Sequence, residues 1–173
     1  MNIIIKKLEN IILKPIGYIS HEYSDEEVRN SFNGVNAIAK ILPEYEEGLK
    51  GIEGFSHIIL VSYLHKAKEF RLIVKPRRLL KLGIKEEEIP EIGVFSTDSP
   101  MRPNSIGISV VRLIKRNKNE LHIENCDLFN GTPLLDIKPL TEDKLPEKVT
   151  FPDWYIKLLR MVKERSGILL RTI

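Results

Sequence analysis

The sequence predicts a mainly β protein, a small closed or nearly closed antiparallel β-barrel with few short helices and a C-terminal helix. Short apolar or alternating segments follow one another closely along most of the chain, as expected for β-strands. Few segments between them have a helical period, whereas a doubly wound sheet needs a helix after most strands. Closure of a sheet of short antiparallel strands removes its exposed edges, which favours a barrel.

The first predicted strands lie in the N-terminal third of the chain. Residues 11–19 are a strand interrupted at Pro15, and residues 35–42 alternate apolar and polar side chains like a half-buried strand. A helical turn rich in carboxylates follows Pro43. Residues 57–64, HIILVSYL, are an almost continuous apolar run, which is typical of a central strand.

Five further strands complete the predicted barrel. They are residues 71–75, 91–95, 106–114, 120–129 and 132–140. The basic turn KRNKNE separates residues 106–114 from residues 120–129, so these two strands are expected to form a hairpin.

The sequence period changes to a helical one from Phe151 onward. Pro152 and Asp153 suit the first turn of a helix, and Gly167 suits its end. The apolar face of this helix comprises Tyr155, Leu158, Leu159 and Val162. We therefore expect a barrel domain over residues 10–142 and, over residues 143–173, a C-terminal tail with one amphipathic helix.

Composition is typical of one globular domain with a mildly basic surface. The 173 residues are 42% hydrophobic and carry a formal charge of +3, which permits but does not require a polyanionic partner. Cys126 is the single cysteine and the four histidines are scattered, so we expect neither a disulfide nor a metal site. The N-terminal apolar runs are short and broken by charges, which predicts no signal peptide, no membrane association and a cytoplasmic location.

Common nucleotide and hydrolase motifs are missing from the sequence. It contains neither G-x-G-x-x-G nor a Walker A motif, so a Rossmann-type cofactor site is not expected. It also lacks the G-x-S-x-G nucleophile motif of α/β-hydrolases.

The most polar loop of the chain lies between residues 93 and 107, GVFSTDSPMRPNSIG. Pro100 and Pro103 fix φ, so the polar groups of this loop lose less entropy when they bind a ligand. Arg102 has two possible roles. It either donates a bidentate pair of hydrogen bonds to a carboxylate or a phosphate, or it stabilises the loop by donating to backbone carbonyls. Asn104 either contacts a ligand or closes a local turn.

Three segments together resemble the TsaA-like methyltransferases, a family that includes the tRNA N(6)-threonylcarbamoyladenosine methyltransferases. The segments are GIEGFSH, GVFSTDSPMRPNSIG and NGTPLLDIKP, and they occur in the family's order. The resemblance extends from about Ile12 to Leu140, which is most of the chain.

The resemblance implies a small β-barrel that binds S-adenosylmethionine without a Rossmann fold, acts on tRNA and works as a homodimer. The cofactor-binding residues that it implies are Leu64, His65, Lys66, Asp98, Arg102, Ile108, Leu128, Phe129, Asn130, Gly131 and Thr132.

Three positions depart from the family pattern. Asp98 stands where the family usually has arginine, Ser105 where it has proline, and Asn130 where it has an acidic residue. Because Arg to Asp reverses a charge, two other functions stay open: methylation of a small molecule other than tRNA, and RNA or nucleotide binding without catalysis.

Other residues allow a structural and a functional interpretation. Gly107 and Gly131 either admit a ligand close to the backbone or serve a bulge and a turn. Tyr18 and Tyr63 either belong to the core or stack on adenine. Candidate bases for a methylated amine are Asp98, Asp127, Asp136 or a histidine. His57 is more typical of a structural residue, and His65 is either a ligand contact or a structural residue.

A basic stretch is the last candidate for a functional surface. Residues 75–85, KPRRLLKLGIK, carry five positive charges and no negative charge. They either clamp phosphates or form an ordinary solvated surface.

Overall fold

A computed structural model describes residues 11–170. Its strands are β1 (Gly17–Ser20), β2 (Val35–Ile41), β3 (His57–Tyr63), β4 (Ile73–Val74), β5 (Ile92–Gly93), β6 (Ile106–Asn117), β7 (Glu120–Cys126) and β8 (Pro133–Pro139). The N-terminal run of residues 1–10 and the two outer limits of the predicted domains, residues 10 and 173, lie outside the described residues.

Six antiparallel strands form a closed barrel in the order β1-β2-β7-β6-β3-β8, and β8 pairs back onto β1. The predicted fold class is therefore confirmed. The predicted hairpin is also confirmed, since β6 pairs with β7 across a tight turn at Lys118 and Asn119. Lys118 adopts a positive φ of 54°, which closes this turn.

Alternate residues of each barrel strand point inward and form the main core. Ile58 and Leu60 of β3 are fully buried, and so are Val111 of β6 and Leu121 of β7. This alternation is the pattern that the sequence showed, because successive side chains of a strand point to opposite faces.

Two predicted strands are much shorter in the structure. Residues 71–75 and 91–95 contribute only β4 and β5, which form a separate two-stranded ribbon outside the barrel. Residues 94–96 continue as a 3₁₀ turn instead of a strand. The sequence run is apolar there because Val74 and Val94 are buried individually, not because a long strand is paired.

The ends of two further strands are also corrected. The first strand begins only at Gly17, and residues 11–16 carry no regular structure. Residues 127–129 were expected in a strand but lie in a loop, because the pairing of β7 with β2 ends at Cys126 beside Asn125, which has a φ of 64°. This correction matters because the loop belongs to the candidate site.

Two α-helices accompany the barrel, α1 (Asp25–Asn30) and α2 (Asp153–Ser166). The structure confirms the predicted helix α2, and it ends at Gly167 with a φ of 70°. Leu158 and Val162 are buried on its predicted face. The helical turn expected after Pro43 is a 3₁₀ helix over Pro43–Leu49.

Helix α2 builds a second apolar core outside the barrel. Its buried face packs on Leu79, Leu82 and the chain around Ile89, which lie between β4 and β5. Arg165 of α2 donates from Nη1 and Nη2 to the two carboxylate oxygens of Glu88 at 2.6 and 2.7 Å. The C-terminal helix is thus joined to a segment that the sequence assigns to the barrel domain, and the predicted boundary stays a prediction.

Helix α1 was not predicted from the sequence. It lies in the connection from β1 to β2, residues 21–34, which we call the clasp. The Ser24 side chain accepts from the Glu27 backbone N–H, and the Glu27 carboxylate accepts from the Ser24 backbone N–H at 2.8 Å. This capping box starts the helix, and Val28 buries it against the barrel.

Candidate functional site

Two of the three segments of the family resemblance, GVFSTDSPMRPNSIG and NGTPLLDIKP, reach one end of the barrel, which we call the motif end, whereas GIEGFSH lies at the opposite end, where β3 begins. β3 runs towards this end and stops at Tyr63, β6 starts there at Ile106, and the two residues are register partners. The Leu64 backbone N–H donates to the Ser105 carbonyl at 2.7 Å and joins the end of β3 to the GVFSTDSPMRPNSIG segment. β7 ends and β8 starts at the same end, because both run antiparallel to their neighbours.

Residues 96–105, the proline loop, are held largely by their own hydrogen bonds. Arg102 donates from Nη1 to the carbonyls of Thr97 at 2.6 Å and Ser99 at 3.4 Å. The Thr97 hydroxyl donates to the Val94 carbonyl and accepts from the Ser99 backbone N–H. The density of polar side chains in this loop is therefore explained in part by its internal structure, and Arg102 has the geometry of the structural alternative.

Residues 127–132, the β7–β8 loop, form a tight turn at the motif end. Gly131 has a φ of 77° and donates its backbone N–H to the Ile19 carbonyl at 2.8 Å. The Thr132 N–H donates to the Phe129 carbonyl, and Thr132 is 2% exposed. Gly131 thus serves a turn, as one interpretation of the Asn-Gly sequence predicted, and a Cβ added to it would meet no atom within 4 Å.

Gly107 serves packing within the protein. A Cβ at this position would lie 2.8 Å from both the Leu64 Cδ2 and the Ser62 Oγ. Ser62 is fully buried, and its hydroxyl donates to the Gly107 carbonyl. The space beside this glycine is therefore filled by the end of β3, not left for a ligand.

The clasp holds the β7–β8 loop through His21. The His21 backbone N–H donates to Asn130 Oδ1 at 3.1 Å, and its ring Nε2 lies 3.0 Å from the Leu128 carbonyl. A carbonyl only accepts, so Nε2 is the donor of this hydrogen bond. Nδ1 is buried and has no hydrogen-bond partner among the residues described.

Cations from separate elements surround Phe129 of the β7–β8 loop. The Lys66 ammonium lies 5.2 Å from the centre of the Phe129 ring, and the Arg29 guanidinium of α1 lies 5.1 Å from it. Lys66 also contacts both carboxylate oxygens of Asp25 at 2.6 Å. The predicted segment after β3 therefore reaches the β7–β8 loop directly through Lys66, and side chains of the clasp surround this contact.

A further arginine and two polar groups border the same region. Arg78 lies over the Phe32 ring at 4.4 Å and donates to the Ser31 carbonyl at 2.9 Å. Burial lowers the pKa of Arg78, and the nearby Asp127 carboxylate opposes this effect. Asp127 in turn accepts from the buried Ser109 hydroxyl at 2.5 Å.

The basic stretch of residues 75–85 makes several contacts within the protein. Lys75 and Arg77 both pair with Glu86, at 3.7 and 3.2 Å, and the Lys81 ammonium donates to Asn30 Oδ1. With Arg78 on Ser31, four of its cations have protein partners, which favours a structural role for this stretch.

Several candidates lie on the outer wall of the barrel. Tyr18 and Tyr63 are 44% and 47% exposed, so neither belongs to the core. Asp136 sits within β8 opposite Val61 and pairs with Lys138 at 2.7 Å. Ile108, an implied cofactor contact, is 72% exposed on the outer face of β6.

The remaining implied cofactor contacts lie in the loops of the motif end or next to them. Leu64, His65 and Lys66 directly follow β3, and Asp98 is exposed in the proline loop. Leu128 is buried below the β7–β8 loop. His57 lies at the opposite end of β3, where its Nδ1 is 3.0 Å from the Ser56 hydroxyl. The set of implied cofactor residues stays a prediction.

A groove of about 570 Å³ lies between the clasp and strands β2, β6 and β7. His21, Tyr23 and His122 line it, and none of the implied cofactor residues does. His21 both lines this groove and holds the β7–β8 loop.

Metal and membrane features were searched over residues 11–170. No group of three histidine, cysteine or acidic side chains is placed there to hold a metal ion. No helix in that range is long and apolar enough to span a bilayer.

Burial raises the pKa of the Cys126 thiol to about 12.

Sequence reasoning missed the contributions of the clasp, namely His21, Asp25 and Arg29. Their contacts to the motif end join positions far apart in the chain, such as His21 and Asn130. The only local signal was S-x-x-E at Ser24 to Glu27, a capping-box pattern that marks the start of a helix.

Comparisons with known proteins agree with this geometry. Residues 28–144 match the family model described as the tRNA-methyltransferase O N-terminal domain. A probable S-adenosyl-L-methionine-binding protein of Pyrococcus abyssi is 43% identical over 133 residues, which are 75% of this chain and 67% of the relative. A tRNA (adenine(37)-N6)-methyltransferase of Rattus norvegicus is 33% identical over 144 residues, 78% of this chain and 32% of the relative.

A solved structure is also similar to the fold. The crystal structure of TrmO has a TM-score of 0.61 and 30% sequence identity, covering 83% of this chain and 62% of that chain. The present chain thus spans about a third of the rat relative and less than two thirds of the solved TrmO chain.

Proposed function

The chain belongs to the tRNA-methyltransferase O N-terminal domain family, and on this premise we propose that it is an S-adenosylmethionine-dependent methyltransferase acting on tRNA in the cytoplasm. Its acceptor is the N(6)-threonylcarbamoyladenosine beside the anticodon. The observation that carries the proposal is that the proline loop, the β7–β8 loop and the residues after β3 lie at the same end of the closed barrel.

The groups at the motif end suit the cofactor chemically. S-adenosylmethionine presents a carboxylate, an ammonium, a sulfonium and an apolar adenine face. Lys66 offers a cation for the carboxylate of the cofactor. Asp127 offers a negative charge and the loop carbonyls offer acceptor oxygens for its positively charged groups. Leu64 and Phe129 offer apolar surface for the adenine. The open space beside Gly131 allows a ligand to approach the backbone of the loop.

The bound cofactor supplies an activated methyl group, which passes to the acceptor nitrogen while the sulfonium becomes a neutral thioether. The protein's task is to align the nitrogen with the methyl carbon and to accept the proton that the nitrogen loses. Among the three candidate carboxylates, Asp127 has the best position, since it lies at the motif end and is oriented by Ser109. Asp136 is engaged by Lys138 on the barrel wall.

We further propose that the chain works as a homodimer that buries an outer face of strands β3 and β6. This face comprises Ile59, Val61, Tyr63, Ile106, Ile108 and Val110. Contiguous exposed apolar surface with a charged rim is typical of protein interfaces. The rim is formed by the ion pair Asp136–Lys138 on β8 and by the ion pair Arg112–Glu124, which joins β6 to β7. Burial of this face would bring Ile108 and the proline loop of each protomer close to its partner.

Light scattering after size exclusion tests the dimer with a matched pair of variants. Ile108→Glu places a charge within the face and is expected to give a monomer. Ile114→Glu alters the same strand at an exposed position outside the face and should leave a dimer. A dimer that survives Ile108→Glu would exclude this face as the interface.

Calorimetry with S-adenosylmethionine is the first test of the activity. Micromolar binding is expected for the wild type, weaker binding for Lys66→Met, and unchanged binding for Lys68→Met, an exposed lysine two positions away. No binding at millimolar cofactor would end the methyltransferase proposal.

The acceptor is tested by comparing tRNA nucleosides from cells with and without the gene by mass spectrometry. Loss of the methylated threonylcarbamoyladenosine supports the tRNA assignment. Unchanged tRNA together with tight cofactor binding would point to a small-molecule acceptor. Tight RNA binding without methyl transfer in vitro would point to a non-catalytic barrel.

A further inference from the structure

Of the two cations against the Phe129 ring, Arg29 is the one that no acidic side chain among residues 11–170 neutralises. Lys66 and Arg29 both lie about 5 Å from the centre of the Phe129 ring, at 5.2 and 5.1 Å. Lys66 is neutralised by Asp25, whose two oxygens it contacts at 2.6 Å. Arg29 forms neither an ion pair nor a hydrogen bond with any residue between 11 and 170.

This arrangement leaves the hydrogen-bonding groups of Arg29 available. A guanidinium that lies on an aromatic ring uses its flat face for the ring, while its N–H groups point outward in the plane. Arg29 is exposed, so these N–H groups are open to a ligand. Two parallel N–H groups match the two oxygens of a carboxylate or phosphate.

The backbone that carries Arg29 is well anchored. The Ser24–Glu27 capping box fixes the start of α1, and Val28, next to Arg29, is 3% exposed in the barrel core. At the other end of the helix, the Lys81 ammonium donates to the Asn30 side chain. A cation on a fixed element loses less entropy on binding than one on a mobile loop.

The local charge balance also favours an anion. The cations near Phe129 and Asp127 are Arg29, Lys66 and Arg78, and the carboxylates are Asp25 and Asp127. Asp25 is paired with Lys66, and the Asp127 charge acts on Arg78. One positive charge, that of Arg29, remains without a counter-charge.

We propose that Arg29, supported by Phe129 and Lys66, is an oxyanion-binding residue of the methyltransferase site. The inference rests on the proposed function, because that function supplies the two oxyanions in reach: the carboxylate of the cofactor's methionyl end and a backbone phosphate of the acceptor RNA. Arg29 forms a charge-assisted, two-pronged hydrogen bond with one of them.

A matched set of variants distinguishes the two sources. Arg29→Gln removes the charge and keeps a polar side chain. Arg29→Lys keeps the charge but loses the pair of parallel N–H donors. Arg160→Gln is the control, an exposed arginine on α2 without a partner among the described residues. Circular dichroism melts should be the same for all variants, because Arg29 is exposed.

The carboxylate source predicts that Arg29→Gln weakens S-adenosylhomocysteine binding about tenfold or more but leaves 5′-methylthioadenosine, which lacks the amino-acid end, unchanged. The phosphate source predicts that both nucleosides bind as before. In that case tRNA affinity falls, and the slope of log affinity against log salt decreases by about one. Equal binding of all these ligands by wild type and Arg29→Gln would overturn the inference.

An independent readout separates this inference from the proposed function. In the wild-type protein, the Arg29 Nε–H resonance should shift saturably when inorganic sulfate is titrated, and the Arg160 resonance should not. A flat Arg29 response overturns the inference even if the cofactor binds. A saturable response from a protein that binds neither cofactor nor tRNA would keep the anion site and reject the methyltransferase.

Discussion

The proline loop is stabilised by hydrogen bonds among its own residues. The β7–β8 loop is held by His21, which precedes Leu128 by 107 positions and Asn130 by 109 positions in the chain. In the first, Arg102 reaches back to the carbonyl of Thr97, five positions earlier. In the β7–β8 loop, His21 of the clasp forms hydrogen bonds with the Leu128 carbonyl and the Asn130 side chain. The two loops lie at the same end of one barrel and are stabilised by different physical means.

This difference indicates how each loop responds to change. The proline loop depends on its prolines, on short-range hydrogen bonds and on one arginine. A substitution in it is therefore expected to disturb the structure only locally. A loop held by the clasp depends on the barrel closing correctly, because β1 must first bring residue 21 beside residue 128. Substitutions in the clasp are therefore expected to cost more global stability than substitutions in the proline loop.

The largest effect is expected for Gly34→Ala, at the end of the clasp. Gly34 has a φ of 74°, and a Cβ there would lie 2.7 Å from the Asn125 carbonyl oxygen. Left-handed strain and a backbone clash together should lower the free energy of unfolding by about 3 kcal/mol or more. Urea denaturation measures this loss.

Gly131→Ala is the matched control for that substitution. Gly131 has nearly the same φ, 77°, but open space where the Cβ would be. Only the conformational strain remains, so we expect a loss of about 1 to 2 kcal/mol. Equal losses for the two variants would mean that the clasp can move away from Asn125 at no cost.

A smaller effect is expected for Arg102→Ala in the proline loop. Removing the bonds to Thr97 and Ser99 should cost about 1 kcal/mol of folding stability. Cofactor affinity should fall several-fold, because a looser loop must be ordered on binding. Denaturation and calorimetry measure the two effects.

Asn104→Ala is the control within the same loop, since its side chain makes no hydrogen bond to the described residues. It should be close to wild type in stability. If Arg102→Ala melts much earlier yet binds the cofactor normally, Arg102 is purely structural and the proline loop is not a binding element.

The strands and helix α2 could be predicted because their signals are local and repeated. Strand β3 shows a long apolar run, and α2 shows an apolar face over a long stretch. Helix α1 has six residues, DEEVRN, with a single buried apolar side chain, Val28, so no period could be seen. The two-residue strands β4 and β5 were overestimated because isolated buried valines resemble parts of strands.

The candidate site could be predicted only where its residues follow a motif. The proline loop and the Asn-Gly turn are visible as contiguous sequence. The cations around Phe129 come from α1 and from the end of β3, and no local pattern connects position 29 or 66 with position 129. Barrel topology brings them together, and a single sequence does not specify side-chain contacts across a fold.

The smallest expected effect is a difference in acid response between the clasp and the second core. Hydrogen bonds from Ser24 lower the pKa of Glu27 in the clasp, and hydrogen bonds from Arg165 lower the pKa of Glu88 to about 2. A carboxyl group with a lowered folded-state pKa stabilises the fold above its unfolded pKa of 4.5 and loses this contribution as pH falls. Glu27 is exposed and Glu88 is partly exposed, so each contribution is small.

Carboxyl-detected NMR titration from pH 7 to about 1.5 measures both groups. Glu88 is expected to titrate last, so the α1 cap should weaken before the pairing between α2 and Glu88 is lost. Arg165→Gln should return the pKa of Glu88 towards 4.5 and leave Glu27 unchanged, and Ser24→Ala should do the reverse. If either substitution shifts both carboxyls, the two regions are coupled, and the contrast between local and long-range support would fail.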